Sequence, residues 1–278
     1  MTISRIFIIS RPLLWIWIAG PYLVGMGGIK NFTIFSAIEF LFFLFPLNFF
    51  LYGINDIYDR ESDEINPRKG DLQGAILKES EIKFVQKLAL GIAVIFLSVA
   101  ATSWNLEHFL ISFLFVLAAF LYSHSWTRLK EIPFLDSLIG GPLVYLSPAL
   151  IAVSLRESIF NIPTEVFLLA LFFVGFHAVS TLNDAKYDKA AGMQSTGIFL
   201  GKRNTLLFAL VTILVPFITF AAKKDLFLTA VLGVVSAGVA LLAVSKMKYD
   251  AGILLSLTSS FVFAFIIALV YYFLLVNW

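Results

Sequence analysis

The chain has 278 residues, 60% of them hydrophobic and only 14% charged, with a net charge of +2 and a mean hydropathy of +0.92. Soluble domains carry roughly 25% charged residues, so a water-soluble globular enzyme is excluded, and so small a net charge leaves no footprint for nucleic acid. The absence of cysteine also excludes thiolate catalysis, Cys-ligated zinc and iron–sulfur chemistry.

A membrane-crossing helix needs about 20 mostly apolar residues. Nine such runs follow one another, near 6–28, 34–56, 84–102, 107–124, 136–154, 164–183, 204–222, 226–245 and 251–276. The expected fold is an all-α membrane protein, a single domain over 1–278 built as a bundle of nine transmembrane helices. With the N-terminus cytoplasmic, 16 of the 20 Lys and Arg fall inside and only Lys30, Arg156, Lys223 and Lys224 outside. That asymmetry is the positive-inside pattern. The outer connections are short. Two inner ones, 57–83 and 184–203, are long and charged, and long loops in compact proteins are usually functional or disordered.

The first of these opens with Asn55-Asp56-Ile57-Tyr58-Asp59-Arg60-Glu61-Ser62-Asp63. If the second helix continues through it, Asp56, Asp59 and Asp63 share one face at i, i+3 and i+7. Three like charges on one stripe repel, and a hard divalent cation taking carboxylate oxygens relieves the repulsion. A solvated juxtamembrane charge run, with Asn55 or Asp63 capping a turn, is the plainer alternative.

The second motif is Asn183-Asp184-Ala185-Lys186-Tyr187-Asp188, followed by Gly192. Asp184 and Asp188 are again one helical turn apart. Both motifs open with Asn-Asp, both place a Tyr before the next Asp, and both end an even-numbered span. After each come two spans and a short basic turn, Arg128-Leu129-Lys130 and Lys246-Met247-Lys248. The chain therefore reads as two four-helix repeats plus a ninth helix. The acidic stripes are expected to face each other across the bundle, where metal ions would bridge one pyrophosphate.

Together these motifs resemble the two signatures of the UbiA superfamily of intramembrane prenyltransferases. Ser10-Arg11-Pro12 with Trp15, Tyr122-Ser123 before Arg128-Leu129-Lys130 and Pro133, and Ser195-Thr196 with Leu200-Gly201 match further family features. The stretch Asn66-Pro67-Arg68-Lys69-Gly70-Asp71-Leu72-Gln73-Gly74-Ala75 lacks the Arg-Pro that many members carry there. With Ala19-Gly20-Pro21-Tyr22 and Gly175-Phe176-His177-Ala178-Val179-Ser180, it is most similar to the lycopene elongase branch, whose members add five-carbon units to lycopene.

The resemblance implies Mg²⁺-dependent transfer of an allylic prenyl group from its diphosphate to a lipophilic acceptor. The active site would lie under a cytoplasmic cap in the inner membrane, in contact with membrane lipid. Asp56, Asp59 and Asp63 would hold one ion, Asp184 and Asp188 the other, with Asn55 joining or orienting the first set. Arg68, Lys69, Arg128 and Lys130 are candidate diphosphate clamps or plain positive-inside anchors. Tyr58, Tyr122 and Tyr187 are placed to stabilise an allylic cation. For the departing proton the candidates are His177, two turns before Asp184, Asp188, or the pyrophosphate itself.

Two other classes remain. An ion-coupled transporter wants acids in mid-membrane, whereas these lie at the cytoplasmic mouth. A CDP-alcohol phosphotransferase needs a D-G-x-x-A-R string, which is absent. Transfer to an aromatic quinone precursor is the alternative within the same chemistry.

Overall fold

A computed structural model describes residues 1–66, 69–70, 74–162 and 164–244, and the described residues are helical with no strand among them. Among the described residues six helices are long and apolar enough to cross a membrane, or seven if a bent N-terminal pair counts as one span. The chain is an integral membrane protein. The expected eighth span is the helix Leu226–Val244, whose apolar stretch is shorter, Leu226–Ala240. The expected ninth, 251–276, lies outside the described residues, as do Arg68, Lys246 and Lys248. The chain divides into two compact units, residues 1–128 with 143–162, and 129–142 with 164–244.

The first unit contains α1 (Ile3–Ile9), α2 (Ile16–Met26), α3 (Ile34–Leu44), α4 (Pro46–Tyr58), α5 (Arg60–Ile65), α6 (Glu79–Ala101) and α7 (Leu106–Ser123). It also contains the C-terminal part of α8 (Leu135–Ser154). The α1–α2 break falls at Arg11-Pro12, where Arg11 takes a left-handed φ of 50°. The second expected span is interrupted at Phe45-Pro46, since proline supplies no N–H to the helical ladder. Asn48 repairs the loss. Its buried amide donates to the carbonyls of Phe43 (2.8 Å) and Leu44 (2.7 Å).

α4 is central in this unit and packs against α1, α6 and α7. Phe43 on α3 anchors the core, with ring centroids 4.8 Å from Tyr22, 5.6 Å from Phe96 and 5.9 Å from Phe115. One polar cluster is buried there. Glu39 lies 2.9 Å from His108 Nε2 and accepts from the Tyr22 hydroxyl at 3.0 Å. His108 Nδ1 lies 2.9 Å from Ser154 Oγ. Sequence reading gave His108 no role; it holds Glu39, which explains how an acid stays inside an apolar span.

The second unit holds the start of α8 with α9 (Thr164–Ala190), α10 (Thr196–Ala222) and α11 (Leu226–Val244). α10 packs against both α9 and α11. The segment 184–203, expected as a cap loop, is helical apart from 191–195. α9 continues nearly two turns past Asp184, and α10 starts at Thr196, eight residues before the expected span, with a break at Gly201 (φ 67°) between its first residues and the rest of the helix. The small-residue patches serve packing within each unit. A Cβ at Gly141 would lie 2.6 Å from the Phe173 carbonyl oxygen, and one at Gly25 would collide with the backbone of Ala149.

Candidate active site

In the first unit the acidic motif straddles a helix break. α4 ends at Tyr58, Asp59 has φ −98° and ψ 5°, and α5 begins at Arg60. The stripe expected from a continuous helix is therefore bent at its middle member. Backbone bonds still run from Asp59 N to Asn55 O (2.9 Å) and from Asp63 N to Asp59 O (2.8 Å), so the helical course is only kinked.

Each acid has its own partner. Asp56, fully buried, accepts from the Arg11 guanidinium and from the Ala75 amide (3.2 Å). Asn55 Nδ2 donates to Asp59 Oδ2 at 2.7 Å, and the Ser123 hydroxyl donates to Asn55 Oδ1 at 3.3 Å. Asn55 thus orients Asp59. Asp63 pairs with Lys69 at 2.9 Å. Burial pushes the Asp63 carboxyl up to about 7; Lys69 opposes that rise, and Asp59 and Asp56 add to it. Arg5 ties the following segment down by donating to the Ile76 carbonyl and pairing with Glu81.

Arg128 has a left-handed φ of 41°, and its Nη2 donates to the Tyr58 carbonyl at 3.3 Å. It braces the backbone beside Asp59. The Tyr58 ring meets the His124 ring at 4.9 Å, and Tyr122 is half-buried.

In the second unit Asp184 and Asp188 sit a turn apart on the continuous end of α9, as the spacing requires. Gly192 stops the helix just beyond. With φ 76° its N–H bonds Lys189 O (3.2 Å), and Met193 N bonds Asp188 O (2.9 Å). That is a Schellman cap, in which the left-handed residue favours glycine. Tyr187 lies between the two acids in sequence and stacks under the Lys186 ammonium, 5.6 Å from the ring centroid.

Sequence reasoning missed Asp136. Buried at the start of α8, it accepts from Thr196 N (2.7 Å), from the Thr196 hydroxyl and from Ser137 N (2.6 Å). Ser137 Oγ lies 3.4 Å from Nδ1 of His177, the candidate base. Lys130, one of the expected clamps, is buried in the short turn Leu129–Glu131. Asp136 was legible as a lone acid opening an apolar run, which in a membrane segment signals function or a buried partner.

Residues 13–267 match the UbiA prenyltransferase family. The chain belongs to that family. It is 36% identical to a lycopene elongase/hydratase of Halobacterium salinarum, over 73% of this chain and 74% of the relative. It is 33% identical to one from Haloferax volcanii, over 84% of this chain and 79% of the relative. Its fold resembles a UbiA homolog from Archaeoglobus fulgidus bound to DMAPP and Mg²⁺, with a TM-score of 0.72 at 20% identity and 97% coverage of both chains. Membership of this UbiA family sets the transporter and phosphotransferase alternatives aside.

The first motif has the chemistry that Mg²⁺ requires. Its donors are carboxylate oxygens, and Asp63 Oδ2 is buried without a hydrogen-bond partner among the described residues. Among the described residues no three acids or histidines are gathered as a ready-made cage; Arg11 and Lys69 hold Asp56 and Asp63 instead. Mg²⁺ commonly uses only one or two carboxylates, completing its shell with water and substrate phosphates, so the residues present fit it.

Proposed function

We propose that this UbiA-family enzyme transfers a dimethylallyl group from its diphosphate to lycopene, releasing pyrophosphate, as a step of carotenoid biosynthesis. The observation that carries the acceptor is the similarity, at 33–36% identity over most of each chain, to lycopene elongase/hydratases. Both acidic motifs of the family are intact, which supports the diphosphate chemistry. In this reading Asp56, Asp59 and Asp63 hold one Mg²⁺, Asp184 and Asp188 a second, and both serve one diphosphate. Bound Mg²⁺ takes up the negative charge that grows on the leaving group. The nine-span arrangement with two four-helix repeats, a cytoplasmic N-terminus and a cytoplasm-facing site in the inner membrane belongs to the same proposal.

The chain's own residues do the rest. Asn55 fixes the Asp59 carboxylate, and Arg128 fixes the backbone that carries it. Lys69, Arg68 and Lys130 supply positive charge to the diphosphate. Tyr58, Tyr122 and Tyr187 offer ring faces to the allylic cation. The apolar walls keep water from quenching it. His177 accepts the proton lost after coupling, helped by its contact with Ser137.

Membranes carrying the protein, supplied with labelled dimethylallyl diphosphate and Mg²⁺, test the acceptor. Label entering lycopene, and lost with a chelator, is the expected result. Label entering a hydroxylated aromatic acid while lycopene stays unlabelled would overturn the acceptor and favour quinone-precursor chemistry.

A further inference from the structure

Two of the three carboxylates of the first acidic motif are paired with side-chain cations. Arg11 pairs with Asp56, and Lys69 pairs with Asp63. The two cations come from distant parts of the chain yet meet at one point. A Cβ on Gly74 would lie 3.1 Å from both Arg11 Nη2 and Lys69 Nζ. Two positive charges are held side by side only because two carboxylates face them. Each side also keeps spare capacity. Among the described residues, Arg11 Nε is a buried donor with no acceptor, and Asp63 Oδ2 is a buried acceptor with no donor. A leftover donor beside a leftover acceptor suits an anion and a cation arriving together. Arg11 itself stands on a helix break in a left-handed conformation, immediately before Pro12, where backbone strain of this kind tends to accompany ligand clamps.

We propose that Arg11 and Lys69 are exchangeable counter-cations. They occupy Asp56 and Asp63 while no metal is bound, and turn from the carboxylates to the diphosphate when Mg²⁺ takes those oxygens. At rest two cations face two carboxylates. With the metal on the carboxylates, the released guanidinium and ammonium match the multiply charged diphosphate. Arg is suited to that hand-over because its planar fork fits carboxylate and phosphate oxygens alike. This inference rests on the Mg²⁺ reading of the motif, and it adds Arg11 to the residues that bind substrate.

The test is metal binding without turnover. Mn²⁺ binding to the purified full chain is followed by electron paramagnetic resonance, alone and with an uncleavable dimethylallyl thiolodiphosphate. Arg11→Gln and Lys69→Gln are expected to tighten Mn²⁺ binding alone by about tenfold, the scale on which a neighbouring opposite charge biases a carboxylate. The same variants are expected to weaken the thiolodiphosphate by a similar factor. Arg11→Lys, which keeps the charge, is expected to bind Mn²⁺ as the wild type does. Arg5→Gln, whose partner is Glu81, is expected to change neither. Variants that bind Mn²⁺ alone no more tightly than wild type overturn the exchange. Wild-type Mn²⁺ binding that Asp56→Asn leaves untouched would instead overturn the metal reading beneath it.

Discussion

Thr196 gives both its amide and its hydroxyl hydrogen to the buried carboxylate of Asp136. The bond pair caps the start of α10 and fixes the far end of the five-residue connection 191–195. The near end is fixed by the Gly192 cap that follows Asp188. Asp136 is thus a positioning residue for the second motif.

Thr196→Val removes one donor from a buried carboxylate. A buried hydrogen bond to a charged group is worth about 1.5–3 kcal/mol, so the detergent-solubilised variant should melt at a lower temperature. KM for the prenyl diphosphate should rise more than kcat falls, because the acids proposed to hold metal are displaced and the reacting groups are not. Thr196→Ser, which keeps the hydroxyl, should restore both.

If Asp63 holds Mg²⁺ as proposed, metal binding acquires a pH dependence. Its carboxyl titrates near 7, raised chiefly by burial, and a metal binds only the ionised form. Metal affinity should therefore be full above pH 8 and fall as pH drops through 7, by up to about tenfold per unit for the single proton released. Mn²⁺ titrations at pH 6 and pH 8 measure the difference. Asp63→Asn should flatten this part of the profile.

The one-turn spacing of Asp184 and Asp188 could be read from the sequence, and α9 runs unbroken through both. Local patterns of this kind are set by residues three or four apart. That Gly192 ends this helix was not apparent, since 184–203 reads as a loop. The kink at Asp59 was not legible, since Tyr58-Asp59-Arg60 contains neither proline nor glycine. Nor was the Arg11–Asp56 pair, whose members are 45 residues apart; only the tertiary fold brings α1 against α4. Span positions were legible from hydropathy. Helix ends were less so, because 184–190 is charged yet helical, and the charged pair Lys202-Arg203 lies inside α10.

The Glu39–His108 pair is a stability device away from the acidic motifs. His108→Leu leaves a buried acid without its main partner, which costs about 3–5 kcal/mol for a pair of this type. Its melting temperature should fall sharply. Removing both groups in Glu39→Leu/His108→Leu should recover part of the loss, since no buried charge is then stranded. A double variant less stable than His108→Leu alone would show that the pair does more than balance charge.

In the proposed mechanism, carboxylates from both motifs serve one reaction. The most direct measurement is the transfer of labelled dimethylallyl groups by membranes carrying Asp56→Asn or Asp184→Asn, at saturating Mg²⁺ and with insertion and folding verified. Asparagine keeps the shape of each side chain, and at position 56 it can still accept from Arg11. Each variant should lose on the order of 10²–10³-fold in rate, the scale of removing one preorganised electrostatic contact at a transition state. Wild-type turnover in either variant would contradict the two-motif mechanism.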